Sequence, residues 1–310
     1  MLTPGPDGLV GMYQRFLLRD QVLPQRLIPD YERPLRYVLC NATKLAIEEL
    51  LSLDPLLYVC HRTAEEIEND PLPTWVPKWH RQQDLEIDHF PLNYSKFRAS
   101  QDAEPCTQPA EMDGLGSLIV HGFHLDDVKS LTDAFSHAAL YTNGLLLGLL
   151  KSAERLLADA ADTPGQLEHT LVASLDHRMA PMSKEQSRRG YRALTEHLAG
   201  EKTSPSFNKA EHNDGVNGYK AYHEALVRWM RNRRFFVTNL GYIGTAPNIM
   251  RRGDLVTVIY GSRMPIILRQ LQQNELYAVV GQAYVFGKMF GEAVEAHNTV
   301  GAKDRSFILV

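Results

Sequence analysis

Three side chains in this sequence are candidates for giving a hydrogen bond to a carbonyl oxygen. They are Tyr242, set between Gly241 and Gly244, His121 in the run His121-Gly122-Phe123-His124-Leu125-Asp126, and Arg269 at the end of Pro265-Ile266-Ile267-Leu268. A fixed donor aimed at a carbonyl polarises the group conjugated to it and stabilises charge that develops there. Four aromatic residues, Trp75, Trp79, Phe236 and Tyr284, could wall an apolar cavity around such a donor. The two indoles sit in Leu72-Pro73-Thr74-Trp75-Val76-Pro77-Lys78-Trp79, whose prolines bias the segment towards an extended chain. Each of these residues also has an ordinary reading as a packed core side chain.

Other chemistries find less. His121, His124 and Asp126 could ligate a metal only if Gly122 bent the chain, because alternate residues of a strand face opposite ways. No metal is therefore expected, and His212 and Asp214 read as solvated loop residues. The chain has no GxxxxGK[ST] loop, and Gly114-Leu115-Gly116 lacks the third glycine of a dinucleotide fingerprint. No GxSxG elbow is present. The sequence thus calls for no cofactor, and what chemistry there is must come from a shaped pocket.

The elements that would position these residues fall in blocks. From Pro34, the residues Leu35, Val38, Ala42, Leu45 and Leu50 recur at helical spacing. A longer helical pattern runs from Asp127 to Ala160, with Gly144 and Gly148 four apart, as in a close helix crossing. Ser183 and Gln186 form a capping box ahead of Tyr191, Leu194 and Leu198, and a last helix carries Tyr222, Leu226, Trp229 and Arg233. Strands are expected at Phe90–Ala99, Leu115–Leu125, Phe235–Thr238, Leu255–Tyr260, Ile266–Leu268, Tyr277–Val285 and Phe307–Val310. Gly244, Gly253-Asp254, Gly261 and Asn274 punctuate the later strands as turn residues. The stretches 100–114 and 201–218 each read as a surface loop or a partly mobile lid. Blocks of helix followed by blocks of strand give an α+β class: one domain over 1–310, helical and loop-rich to 234, then a small bent antiparallel sheet or partial barrel from 235 to 310.

Composition narrows the partners. The chain is 44% hydrophobic and 23% charged, with a formal net charge of -4, which is unlike the basic surface of a nucleic-acid binder. Cys40, Cys60 and Cys106 make no CxxC pair and suit reduced thiols. The N-terminus lacks the basic and apolar regions of a signal peptide, and Leu145–Leu150 is far short of the roughly 20 residues that span a bilayer. A cytoplasmic protein with neither nucleic-acid nor membrane partners is expected.

Taken in order, several segments resemble the C-terminal half of fungal heterokaryon-incompatibility (HET) proteins. They are Pro29-Asp30-Tyr31, Pro34-Leu35, Ala42-Thr43, the tryptophan segment 72–79, Arg234-Phe235-Phe236-Val237-Thr238 and Gly241-Tyr242-Ile243-Gly244. Gly253-Asp254-Leu255-Val256, Pro265-Ile266-Ile267-Leu268-Arg269, Tyr277-Ala278-Val279-Val280-Gly281 and Tyr284-Val285-Phe286-Gly287-Lys288-Met289 complete the set. The resemblance implies a region that follows a signalling domain in such proteins, and nothing before Pro29 is long enough to be that domain. A stand-alone form also resembles the norbornene-forming Diels–Alder cyclases of sordarin-type diterpenoid pathways. That likeness implies a cofactor-independent cyclase acting on a small apolar terpenoid. It would have Trp75, Trp79, Phe236 and Tyr284 around the substrate and Tyr242, His121 or Arg269 as donor. A non-catalytic interaction module is the alternative.

Overall fold

One long strand organises the sheet. The computed structural model describes residues 33–78, 96–101, 103, 107–109, 116–158, 166–200, 218–271 and 275–310. Within them β1 is Thr107–Pro109 and β2 is Leu118–Leu131, 14 residues with register shifts between His124 and Asp126 and between Val128 and Ser130. Such bulges bend a strand and sharpen its twist. That bend lets β2 serve several partners: β1 at Leu118–Val120, β5 (Leu255–Ile259) at Gly122–Asp127, β9 (Arg305–Leu309) at Leu118–Gly122 and β3 (Arg233–Thr238) at Val128–Leu131.

The remaining pairings close a ring. β5 pairs β6 (Ile266–Gln270), β6 pairs β7 (Leu276–Gln282), and β7 runs parallel to β9, which returns to β2. From β2 a side branch continues through β3 and β4 (Ile243–Pro247) to β8 (Tyr284–Val285). All five ring strands send side chains into one cluster: Val120, Ile259, Leu268, Val279 and Phe307 are members, and each is fully buried. The opposite side of β5, β6 and β7 packs Val256, Ile267 and Ala278 against Phe236, Ile249 and Met250 of the branch. A ring of strands filled in this way has no room for a guest at its centre.

Gly122 marks the point of closure. It pairs with Arg305 on one edge and Ile259 on the other, and a Cβ there would lie 2.1 Å from the Val258 carbonyl oxygen. The glycine therefore serves close backbone approach within the paired strand.

Helices pack against the sheet in three separate clusters, with Ile67 in the one around Phe236 and with Ala293 and Val294 against Phe123 and Val258. The helices are α1 (Leu35–Leu50), α2 (Glu65–Asn69), α3 (His137–Tyr141), α4 (Asn143–Ala158), α5 (Gln166–Thr170), α6 (Lys184–Leu198), α7 (Gly218–Met230) and α8 (Glu292–Val300). Both bonds of the Ser183–Gln186 capping box are formed at the start of α6. The close helix crossing occurs at Gly190 of α6, where a Cβ would come within 2.7 Å of Tyr222 Cβ on α7. At Gly144 and Gly148, whose spacing suggested that role, an added Cβ would meet no described neighbour within 4 Å. No helix of the described residues is long and apolar enough to cross a membrane.

Several sequence expectations change. Residues 127–131 belong to β2 and not to a helix, because pairing with β3 outweighs their helical periodicity. Lys96–Ala99 form a turn tied by Ala99 N–H to the Arg263 carbonyl, and Phe90–Tyr94 lies outside the described residues. Thr74–Val76 is a turn too, with Val76 N–H bonded to the Pro73 carbonyl 3.0 Å away. Arg233 starts β3 instead of ending α7, Gly244 sits inside β4, and α5 and α8 are additional. Trp79, Cys106, His212, Asp214, Asn274 and Pro29–Tyr31 lie outside the described residues.

Candidate functional site

The residues nominated from sequence are spread across the core, and most are bonded to the protein itself. Arg269 gives two bonds to the Asp254 carboxylate, at 2.8 and 2.9 Å, and a third to the Ile249 carbonyl at 2.9 Å. Both side chains of this pair are at most 3% exposed. Trp75 is fully buried and donates its indole N–H to the Gly116 carbonyl at 2.9 Å. Phe236 is buried in the cluster that Tyr242 packs against, while Trp75 and Tyr284 belong to the larger cluster. Tyr242 is half-buried, with the Lys288 ammonium 4.7 Å from its ring centre. His121 meets Ser306 Oγ through Nδ1 at 3.2 Å, on the pairing of β2 with β9, and its Nε2 is enclosed without a partner among the described residues. His124 bonds Asp127, and Asp126 accepts from Leu240 N–H, so the three suggested metal ligands are engaged separately. Among the described residues no group of three or more His, Cys, Asp or Glu could hold a metal ion.

Tyr284 stands apart from this set because it lies at the back of an aromatic stack that reaches the surface. Its hydroxyl shares a hydrogen bond of 2.5 Å with Ser174 Oγ, and burial pushes its pKa up to about 12. Its ring meets Phe97 edge-on at 6.0 Å and Trp229 at 6.1 Å, and Phe97 in turn contacts Phe290 at 6.1 Å. Phe290, 58% exposed, opens the stack to solvent.

There the surface forms an open cleft of about 550 Å³ lined by Arg98, Ser100, Gln101, Ala103, Tyr260, Phe290, Val294 and Asn298. Local contacts hold several residues of the cleft wall. The turn carrying Arg98 is fixed by Arg98 N–H to the Met289 carbonyl at 2.8 Å and by Ala99 N–H to the Arg263 carbonyl at 3.0 Å. Gln101 has φ +57°, a strained value for a residue with a side chain, and its amide reaches the Gly291 carbonyl at 3.4 Å and Glu295 at 3.3 Å. Gly291, φ +98°, starts α8, and a Cβ there would lie 2.3 Å from the Gln101 side chain. Tyr260 donates its hydroxyl to Asp304 at 2.7 Å, and Asp304 also faces His297 Nε2 at 3.0 Å. Burial and the Asp304 carboxylate raise the Tyr260 pKa to about 12, so it stays protonated at ordinary pH.

The cleft thus sets an apolar floor, Phe290 and Val294, beside hydrogen-bonding groups on Arg98, Ser100, Gln101 and Asn298. Sequence reasoning missed it because its residues come from three distant segments and none belongs to a motif. Gly291, at the head of a short helix, was the available signal.

Comparison with known proteins agrees with part of this picture. Residues 166–310 match the Het-6 beta-barrel domain family. Heterokaryon incompatibility protein 6, OR allele, of Neurospora crassa is 32% identical over 71 residues, which is 22% of this chain and 10% of that protein. The chain therefore matches about a tenth of the length of this curated relative. No solved structure matches. The family match covers β3–β9, and β2, the strand that closes the ring, lies before it.

Proposed function

We propose that the protein is a cofactor-independent cyclase that folds an apolar, terpenoid-like polyene in the cleft and promotes an intramolecular cycloaddition of the Diels–Alder type. The supporting observation is the cleft itself, where the apolar side chains Phe290 and Val294 and the hydrogen-bond donors Arg98 and Asn298 line one open surface depression. In this reaction a diene and an alkene of one molecule exchange two π bonds for two carbon–carbon σ bonds. No proton, electron pair or group leaves the substrate, so neither nucleophile nor redox partner is required.

What the protein must supply is shape and one polarising contact. Holding the two ends of a flexible chain within reach removes much of the entropic barrier. Phe290 and Val294, backed by Phe97 and the ring of Tyr284, offer a rigid surface for that folding. A hydrogen bond from Arg98 or Asn298 to a carbonyl conjugated with the alkene would lower the electronic barrier. In this reading the donor role passes from Arg269, Tyr242 and His121 to residues on the cleft wall.

The test is turnover of C20 polyenes that carry an unsaturated aldehyde, followed by chromatography. The expected product has unchanged mass, a new retention time and formation unaffected by chelator. Phe290→Ala and Asn298→Ala should each slow it about tenfold, the effect of losing roughly 1.4 kcal/mol. No acceleration over buffer, or variants as fast as the parent, would refute the proposal.

A second reading, a non-catalytic interaction module, is favoured by the exposed apolar residues Leu35, Tyr37 and Val38 on the first turn of α1. It expects no acceleration of any polyene, and loss of partner capture when Leu35 and Val38 are changed to serine.

A further inference from the structure

Two groups on the cleft lining have already given away their protons. Tyr260 donates its hydroxyl to the Asp304 carboxylate at 2.7 Å, and its ring centre lies 6.3 Å from that of Phe123. A phenol has one proton to give, so the Tyr260 oxygen offers a ligand lone pairs only. Gln101 is in the same condition. Its amide nitrogen faces the Gly291 carbonyl at 3.4 Å and Glu295 at 3.3 Å. Both partners are acceptors, which fixes the nitrogen on that side and leaves Oε1 with no hydrogen bond among the described residues. Asn298, exposed on α8, brings an amide with two N–H donors to the same lining. The pattern follows from where the protons sit and is independent of the charge around the cleft.

From this arrangement we infer that the ligand of the cleft is an apolar molecule bearing a neutral hydroxyl, which donates its proton to the Tyr260 oxygen. A hydroxyl suits the place because it gives and takes hydrogen bonds at once, and the Asn298 amide can supply the second. An ammonium would cost far more to strip of water, and neither Tyr260 nor Gln101 has a charge to offset that cost. Gln101 Oε1 is open to a further hydroxyl on the same ligand, and the apolar remainder lies on Phe290 and Val294. The inference rests on the cleft being the ligand site, as in the function proposed above. It adds an anchor remote from the reacting carbons, whose binding energy fixes the orientation in which the rest of the molecule folds.

Three probes of one carbon skeleton test it by titration calorimetry on the full chain: dehydroabietinol, its methyl ether and dehydroabietylamine. The alcohol should bind about fivefold more tightly than the ether, the value of one neutral hydrogen bond, with the amine weakest. Tyr260→Phe removes the acceptor and should bring alcohol and ether within about twofold of each other. Asp304→Ala, at an exposed position, should close the gap by another route, because the freed Tyr260 proton can then be given to the ether oxygen. Asp304→Asn, whose side-chain oxygen still accepts from Tyr260, should keep the preference. A purely structural role for Asp304 would instead weaken all three probes alike. The inference falls if ether or amine binds as well as alcohol, or if no probe binds. It falls equally if the preference survives Tyr260→Phe or Asp304→Ala, or is lost in Asp304→Asn. Selective alcohol binding without turnover of any polyene would sink the cyclase and leave this inference standing. Turnover of polyenes with no preference for the alcohol would do the reverse.

Discussion

Replacing Arg269 by methionine separates a structural arginine from a catalytic one. The change removes the two bonds to Asp254 and the bond to the Ile249 carbonyl while keeping most of the side-chain volume. Asp254, 1% exposed in its side chain, would be left buried with the exposed Arg251 guanidinium, 3.9 Å away, as its remaining charged neighbour. Breaking such a pair from one side costs about 3–5 kcal/mol. Two features pull the expected value towards the lower end. Asp254 keeps the Arg251 N–H at 2.8 Å, and Arg269 Nη1 is enclosed without a partner among the described residues, so its removal recovers some desolvation. We therefore expect a loss of about 3 kcal/mol for Arg269→Met, read in urea as a midpoint lowered by roughly 1 M. Asp254→Asn in the same chain should recover part of the loss, because it removes the stranded charge. A change below about 1 kcal/mol, or a double variant no better than the single one, would refute the argument. Full stability combined with abolished turnover would return Arg269 to the reacting site.

Three further outcomes follow from the packing. Gly122→Ala should prevent the ring from closing around β2 and yield little folded protein, seen as lost near-ultraviolet circular dichroism, since the added Cβ would lie 2.1 Å from backbone. Gly190→Ala should cost about 1–3 kcal/mol by overpacking against Tyr222, whereas Gly148→Ala on open helix surface should stabilise by about 0.5–1 kcal/mol; thermal melts compare them. His61 is buried, which, with help from Lys78, lowers its pKa from 6.5 to about 4. The unfolded chain then binds the proton more readily, so stability is whole above pH 6.5 and falls by roughly 3 kcal/mol as pH drops from 6.5 towards 4. His61→Gln, which can still donate to the Val279 carbonyl, should flatten that fall in urea titrations at stepped pH.

How far the sequence could be read depended on the range of the interactions involved. The capping box at Ser183 and Gln186 was legible because both of its bonds lie within one turn. Strands β3, β5, β6, β7 and β9 were legible because their β-branched and aromatic runs are bounded by glycine turns such as Gly253, φ +81°, and Gly261, φ +85°. Residues 127–131 were misread because their apolar spacing fits a helix as well as a strand, and only the partner β3 decides. Arg269 and Asp254 were each visible as polar groups beside strands, but nothing local says that a turn residue fifteen positions away neutralises the arginine.

The amino-acid sequence by itself determined the α+β class, the order of most elements and the similarity of residues 166–310 to the Het-6 beta-barrel domain, because short-range pattern and turn chemistry carry that information. Tertiary structure decided what those elements enclose. Closure of the ring through β2 filled the barrel with side chains, and the meeting of residues 98–103, Tyr260 and α8 opened a cleft elsewhere. Such a hollow depends on the distance between segments far apart along the chain, and no local spacing of residues records that distance.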